Sequence, residues 1–200
     1  MQRVVRFLNL ALLVSLLQAV PSHAEQRTTS NFVQAAIALD NPNVVYDSGY
    51  RRIAYPLGDV PQTVGVCADV VIRAYRAIGI DLQKLVHEDM TRHFAAYPKI
   101  WRMTHADANI DHRRVPNLMA FFKRHGSGLN ITRDARDYAP GDIVTWNLRK
   151  HGSLPHIGIV TDRKNVAGRP LIMHNIGGGQ VLEDILFAYE ITGHYRYGLE

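Results

Sequence analysis

The sequence has a single cysteine, Cys67, and no block of lysines or arginines among its 23 basic residues. One cysteine excludes a framework of intramolecular disulfides. The pairs Arg51 and Arg52, and Arg113 and Arg114, are isolated, and the formal net charge is only +5. This pattern disfavours a nucleic-acid-binding protein. The chain also lacks internal repeats and low-complexity tracts, which excludes a repeat array.

Only the N-terminus carries a long apolar run. Arg3 and Arg6 precede an apolar stretch over residues 7–20, and the small residues Ser22 and Ala24 follow it. This order is typical of a secretory signal cut after Ala24, and the run is too short to span a bilayer comfortably. The leader has no cysteine for lipid attachment. We therefore predict a periplasmic or secreted protein without stable membrane insertion, with a signal over 1–24 and one domain over 25–200.

Hydrophobic periodicity changes along the mature chain. Helical spacing marks residues 31–39, 67–78, about 82–94 after the capping Asp81, and 115–125. Short β-rich runs follow at residues 143–146, 157–160, 171–173 and 195–197. Helices followed by a meander of strands predict an α+β fold, with N-terminal helices packed on a C-terminal antiparallel β-sheet. Between the first two helices, residues 46–66 are predicted to form an irregular surface arm.

The lone cysteine of an exported chain has three interpretations. It is a reactive thiol, it forms an intermolecular bridge, or it is buried as a small hydrophobic residue. Cys67 falls in the first turn of a predicted helix, where unpaired amides and the helix dipole favour a thiolate. A catalytic cysteine also needs an imidazole that shares its proton.

Two histidines are placed to supply that imidazole. His156 opens one predicted strand and His174 ends the next, with residues 161–170 as the hairpin loop. Pairing Ile159 with Leu171 would set the two histidines opposite each other on one face of the sheet. His174 would then orient the ring of His156.

A register slip of one residue would change this arrangement. It would place Asn175 opposite His156, so Asn175 is the alternative orienting residue. Gly158 adds no side chain on the same face and would leave space for a helix terminus or a substrate chain.

Several polar residues are candidates for substrate binding. Asp69, two residues into the helix, would complement the helix dipole or meet a substrate ammonium or amide group. Trp101, His112, Arg113 and Arg114 would line a groove for a charged peptide or belong to an ordinary solvated loop. The histidines and carboxylates of residues 105–112 lack a second histidine at helical spacing, so we predict no metal and no cofactor.

Other polar residues have structural interpretations. Asp142 follows a Pro-Gly turn and would cap that turn or open the strand. His194 and Tyr195 would pack in a last strand.

Four pieces of the sequence, in this order, resemble the NlpC-type cell-wall cysteine peptidases. They are Cys67 at a helix start, Pro140-Gly141-Asp142-Ile143-Val144, His156-Ile157-Gly158-Ile159-Val160, and a strand ending in His174. The strings Gly65-Val66-Cys67-Ala68-Asp69-Val70-Val71 and Ile191-Thr192-Gly193-His194-Tyr195-Arg196 look closer to a bacterial branch of that clan, the domain-of-unknown-function family 1287. This second resemblance extends from about Asn31 to the end of the chain.

The NlpC resemblance implies a papain-like hydrolase that cuts peptides of bacterial peptidoglycan. It implies Cys67 as the nucleophile, His156 as the general base and His174 as the third polar residue. Val66-Cys67-Ala68-Asp69 departs from the usual cysteine followed by serine or glycine and an aromatic residue. The segment from Cys67 to the first predicted strand is also unusually long. Both departures leave the substrate preference open.

The leading hypothesis is an exported, monomeric cysteine hydrolase. It would cleave an amide bond in the peptide part of peptidoglycan through a thioacyl-enzyme, using Cys67, His156 and His174. One alternative keeps this triad in an amidase or an acyltransferase. The other is a non-catalytic module on the same fold that binds the cell wall or a ligand.

Overall fold

The computed structural model describes residues 27–126 and 128–199. The predicted signal over 1–24 lies outside the described residues. Within them the protein is an α+β fold with four α-helices and a five-stranded antiparallel sheet. No helix in this part of the chain has both the length and the apolar character needed to cross a membrane.

The helices precede the large sheet in the chain, as predicted. They are α1 (Thr29–Ile37), α2 (Cys67–Ala77), α3 (Leu82–Arg92) and α4 (Val115–Arg124). The strands are β1 (Val45–Tyr46), β2 (Val64–Gly65), β3 (Ile143–Asn147), β4 (Pro155–Lys164), β5 (Pro170–His174), β6 (Val181–Glu183) and β7 (Glu190–Tyr195). Short 3-10 helices occupy Phe94–Ala96, Asp111–Arg113 and Ala135–Asp137.

Local capping explains where the helices begin. The side chain of Thr28 accepts a hydrogen bond from the amide of Asn31 at the start of α1. Asp81 accepts one from the amide of Gln83 and begins α3, which confirms the predicted cap. A proline in the first turn of α4 lacks only an amide hydrogen that would be unpaired there.

The large sheet has the order β6-β5-β4-β3-β7, and its inner strands β3, β5 and the first part of β4 are buried on both faces. Ile143, Ile157 and Ile159 join the core that contains the helices, whereas Val144 and Trp146 belong to a second apolar cluster. Successive side chains of a strand point to opposite faces, so one run of β-branched residues supplies both clusters. Helix α2 packs against α1 and against β4 of the sheet, and α1 also contacts β4.

Two strand predictions need correction. The last strand was expected over 195–197 but spans Glu190–Tyr195, while Tyr197 packs edge-on against Tyr75 and Phe121. Strand β6 and the parallel pair of β1 and β2 were not predicted. Two or three residues carry too little alternation to signal a strand, and their pairing depends on neighbours brought near by folding.

Asp142 links the turn before β3 to the residues at the end of β7. Its Oδ2 accepts from the amide of Ala139 at 2.9 Å and lies 2.8 Å from Nε2 of His194, and its Oδ1 accepts from Nε of Arg196 at 2.7 Å. Gly141 has φ +90°, a conformation that favours glycine and turns the chain into β3. The Pro-Gly-Asp turn and the Gly-His-Tyr-Arg string therefore meet at the buried carboxylate of Asp142. Because this carboxylate also caps the turn, the predicted structural role of Asp142 is confirmed.

Replacing Asp142 with alanine should destabilise the fold by about 2–4 kcal/mol, because buried donors on His194 and Ala139 lose their acceptor. Urea unfolding analysed by linear extrapolation measures the change. The control is Arg136→Ala, which removes a cation from the exposed pair of Arg136 and Asp134 and should have little effect. A loss below about 1 kcal/mol for Asp142→Ala would show that the contact contributes no more than a surface ion pair.

Candidate active site

A buried ion pair fixes the first turn of α2. Asp69 Oδ2 accepts from the amide of Val66 at 2.6 Å, and both carboxylate oxygens accept from the guanidinium of Arg113 at 2.9 Å. Arg113 also donates to the carbonyl oxygens of Asp47 and Gly49. The pair therefore ties the start of α2 to the arm that follows β1.

Cys67 lies in that turn, at the inner wall of a cleft of about 390 Å³. Cys67 is only 4% exposed. The hydroxyl of Tyr46 contacts the thiol, and burial followed by this contact raises the pKa of Tyr46 to about 12. The sulfur is therefore enclosed but borders a space open to a ligand.

The resting thiol is protonated, contrary to the expectation of a thiolate. Burial raises the pKa of Cys67 to about 11, although the main-chain amides of Ile157, Ala68 and Cys67 itself act in the opposite direction. A buried anion loses most of its hydration, and here this loss exceeds the favourable effect of the amides at the helix start.

The two predicted histidines form a hydrogen-bonded chain that continues to a carboxylate. Nε2 of His156 lies 3.0 Å from Nδ1 of His174, and Nε2 of His174 lies 3.0 Å from Oε2 of Glu183. Burial, followed by the proximity of His174, lowers the pKa of His156 to about 3. Its imidazole is therefore neutral in the resting protein.

The register that brings these rings together differs from the predicted one by two residues. Ile159 pairs with Met173 rather than with Leu171, so the continued register sets Gly158, not His156, opposite His174. A shift of two residues keeps both histidines on one face, and they meet as diagonal neighbours. The hairpin turns later than predicted, with Lys164 paired to Pro170, and the register shift between Val160 and Lys164 removes only part of the difference.

The space above Gly158 is occupied by the sheet itself. A Cβ at this position would lie 2.6 Å from Cγ2 of Ile172 and 3.2 Å from Cβ of His174. The predicted approach of a helix terminus or a substrate chain is therefore wrong. The glycine instead lets β5 bring His174 beside His156.

The thiol and the imidazoles are on opposite faces of the sheet and are not hydrogen-bonded. Cys67 packs with Ile157 and Ile159 in the helical core, whereas His156 alternates with them and faces Trp146. Within 27–126 and 128–199, no hydrogen bond joins Sγ of Cys67 to His156 or His174. The sulfur contacts the amide of Ile157, which directly follows His156, and the preceding Pro155 lines the same cleft. The ring of His156 packs beside Trp146.

Three of the predicted groove residues line the cleft, Trp101, Arg113 and Arg114. Trp101 and Arg113 are part of its wall, with Tyr46 and Tyr50 contributed by the arm. Arg114 adds a cation, which stacks over the ring of Trp101 at 4.3 Å. The segment before α4, residues 101–114, and the arm after β1 therefore form a groove at the thiol.

The other predicted residues have different surroundings. Both oxygens of Asp69 are already used by Arg113 and Val66, so a contact with substrate stays a prediction without support from this geometry. His112 is buried outside the cleft lining, and burial lowers its pKa to about 3. Asn175 donates to the carbonyl oxygen of Gly65 at 3.4 Å and does not contact His156, so His174 holds the position beside that ring.

Sequence reasoning missed two residues of the site, Tyr46 and Glu183. Tyr46 belongs to a two-residue strand, and Glu183 ends a three-residue strand. Neither segment has a periodicity that predicts a strand. Nothing in the sequence around Tyr46 or Glu183 indicates that these side chains meet a thiol or an imidazole, because both contacts are with residues distant in the chain.

Fold and site together define an α+β protein with a buried thiol at a helix start beside a cleft, and with a His-His-Glu chain on the other face of the sheet. The family described as "Domain of unknown function (DUF1287)" matches residues 33–197, so the protein belongs to this family. This confirms the more specific of the two resemblances, whereas the link to NlpC-type peptidases stays a prediction.

The chain is also similar to "Uncharacterized protein YijF" of Escherichia coli (strain K12). The two are 46% identical over 198 residues, which cover 92% of this chain and 96% of that protein. No solved structure matches the chain.

The protonation state of Cys67 predicts its reactivity. At pH 7, iodoacetamide should alkylate the native thiol about 300-fold more slowly than a free cysteine of pKa about 8.5, because so little thiolate is present. The rate should rise about tenfold per pH unit up to about pH 10. Mass spectrometry of timed samples measures it.

The urea-unfolded protein is the control for this measurement, because the same cysteine is then exposed and should react as a free thiol. Native Cys67 that reacts at pH 7 as fast as the unfolded chain would contradict a buried, protonated thiol.

Proposed function

We propose that this protein is an exported cysteine hydrolase with a papain-like, NlpC-type fold. It cleaves an amide bond in the peptide part of bacterial peptidoglycan. The observation that carries the proposal is the hydrogen bond between His156 and His174 at the start of β4, whose first residue, Pro155, borders the cleft of Cys67. A nucleophile, a base and a residue that orients the base are the parts that thiol catalysis requires.

The mechanism starts from a neutral pair. With a thiol pKa of about 11 and a His156 pKa of about 3, sulfur and imidazole are both uncharged at rest. The proton therefore passes from Sγ to His156 as the sulfur attacks the amide carbonyl carbon. For this step the ring of His156 must turn from its place beside Trp146 toward the sulfur, and catalytic hydrogen bonds commonly tighten only when substrate is bound.

Breakdown of the tetrahedral intermediate gives a thioacyl-enzyme. The C–N bond breaks, and the imidazolium of His156 returns the proton to the leaving amine. Water then attacks the thioester, giving its proton to His156, and the acid product leaves as the thiol is restored. Atoms and charge balance with water as the only co-reactant.

Two donors are available for the oxyanion of the intermediate. The main-chain amide of Cys67 points at the thiol region from the helix start, and the hydroxyl of Tyr46 contacts the sulfur. Preformed donors directed at a developing charge account for much of the rate acceleration in acyl transfer.

The lining of the cleft supports a peptide substrate that carries a carboxylate. Tyr50 and Trp101 offer exposed aromatic surfaces, and Arg114 supplies a cation that is 3.3 Å from Asp111. Aromatic rings pack against peptide planes and aliphatic side chains, and a guanidinium pairs with a carboxylate. An amidase or an acyltransferase would use the same groups, and the products distinguish them.

A second candidate is a non-catalytic module that binds cell-wall peptide. It is favoured by the raised thiol pKa and by the lack of a sulfur–imidazole hydrogen bond among the described residues. For such a module, Cys67 is one wall of a binding cleft.

Replacing Cys67 with alanine should abolish hydrolysis, because no other group forms the thioacyl bond. Release of soluble fragments from purified peptidoglycan, followed by mass spectrometry, should fall by at least about 10³-fold. Arg136→Ala, a change at an exposed ion pair, is the control that should retain activity.

Fragment release by Cys67→Ala equal to that of the unchanged protein would end the hydrolase proposal. Binding of peptidoglycan without release by either form would support the non-catalytic module instead. The masses of the fragments identify the bond that is cut, and transfer to an added amine would identify an acyltransferase.

Replacing Tyr46 with phenylalanine should lower kcat by about 10²-fold with a small change in KM, because one oxyanion donor is lost in the transition state. Tyr55→Phe is the matched control, since Tyr55 lies on the same arm but outside the cleft lining. Steady-state kinetics on a fragment released in the previous experiment measures both constants. An unchanged kcat for Tyr46→Phe would remove the hydroxyl from the mechanism.

A further inference from the structure

We infer that Glu183 is a positioning residue, which fixes the tautomers of His174 and His156 so that Nδ1 of His156 is left without a proton. The observation is the continuous chain His156–His174–Glu183, with both contacts at 3.0 Å. The tautomer assignment rests on this geometry together with the burial of both rings, and it does not depend on the proposed function. Its consequence for catalysis rests on the proposed function.

The carboxylate sets the direction of the whole chain. An ionised carboxylate only accepts hydrogen bonds, so Nε2 of His174 must carry the proton that it donates to Glu183. Burial lowers the pKa of His174, which is therefore a neutral imidazole with one N–H group. Its Nδ1 is then an acceptor, and the contact with His156 requires Nε2 of His156 to donate.

The neutral His156 then has no second proton. Its pKa of about 3 shows that burial keeps this ring uncharged, so a proton on Nε2 leaves Nδ1 with a free lone pair. Nδ1 is thus the nitrogen that is free to accept a proton, and in the proposed mechanism it is the base. If the chain ran in the opposite direction, Nδ1 would carry a proton and could not act as a base.

The sheet explains why Glu183 is in this place. Strand β6 pairs with β5 so that His174 is opposite Val181 and Ile172 is opposite Glu183. Glu183 is therefore a diagonal neighbour of His174 on the same face, within reach of its ring. This also gives β6, a short edge strand, a function in the site.

Glu183 is expected to act mainly by fixing the donor and acceptor direction of the hydrogen bonds. Its side chain is 49% exposed while that of His174 is buried, so solvent weakens the effect of its charge on the rings. An acceptor-only partner still determines which nitrogen of His174 holds the proton. A wrong tautomer of the base removes catalysis even when the geometry is retained.

Nitrogen-15 NMR of the histidine-labelled protein tests the assignment without any activity measurement. In the wild-type protein, His156 and His174 should both show the tautomer with the proton on Nε2. Single substitutions of each histidine assign the signals. A proton on Nδ1 of wild-type His156 would overturn the inference.

Glu183→Gln should destroy this single arrangement, because an amide can donate as well as accept. We expect His174 and His156 to show the opposite tautomer or a mixture, and kcat to fall by about 10- to 100-fold with KM unchanged. Glu183→Asp keeps an acceptor-only group and should retain the wild-type tautomers. Glu190→Gln, the same chemical change on the far edge strand β7, should alter neither the tautomers nor kcat.

The outcomes separate this inference from the proposed function. Wild-type tautomers in Glu183→Gln would overturn the positioning role whatever the activity. Altered tautomers, in a protein that releases no peptidoglycan fragment in any form, would support the tautomer assignment and end the hydrolase proposal. Circular dichroism and thermal melting establish that each variant is folded.

Discussion

The buried ion pair of Asp69 and Arg113 is the interaction on which the rest of the site depends. It closes the first turn of α2 at Cys67, and through Arg113 it holds the carbonyl oxygens of Asp47 and Gly49. A desolvated charge pair of this kind is stable only when its remaining hydrogen-bonding groups are also satisfied. Here those additional bonds reach two other segments, so the pair positions both the thiol and the cleft wall.

Burial, more than the helix dipole, sets the chemistry of the thiol. Cys67 and His156 are both enclosed, and each is held in its uncharged form. An ion pair of thiolate and imidazolium would have to overcome the loss of hydration at both groups. Both groups are therefore uncharged when no ligand is bound.

The His156–His174–Glu183 chain runs from a buried imidazole on the Trp146 face of the sheet to the protein surface. Its two inner members are shielded by the sheet, and its last member is half exposed. The direction of the hydrogen bonds is thus determined at the surface, by a group that remains hydrated. A similar logic applies at Asp142, where one buried carboxylate joins the turn before β3 to the residues that end β7.

Much of the fold was predictable because strong local signals coincide with the final structure. The cap at Asp81, the helix beginning at Cys67 and the strands around Val144 and Ile159 lie where periodicity and capping placed them. Strands β1, β2 and β6 were not predictable from two or three residues, since short strands are stabilised by their partners. The strand near Tyr195 was misplaced because its aromatic residues also serve the helical core.

The candidate site divides in the same way. Cys67 at a helix start and histidines at strand ends are visible in the sequence. The parity of the sheet register, which puts His156 and His174 on one face, also followed from alternation. The register itself depended on where the hairpin turns and on an irregularity between Val160 and Lys164. No pattern in residues 161–170 predicted either feature.

By itself, the amino-acid sequence determined the fold class, the helix on which the thiol lies and the two histidines that share a face. Capping, periodicity and alternation are local properties, and neighbouring residues suffice to express them. Only the tertiary structure decided that the thiol is protonated, that Tyr46 contacts it and that Glu183 ends the histidine chain. Desolvation and cross-strand contact depend on groups distant in the chain, so they exist only after the segments have packed together.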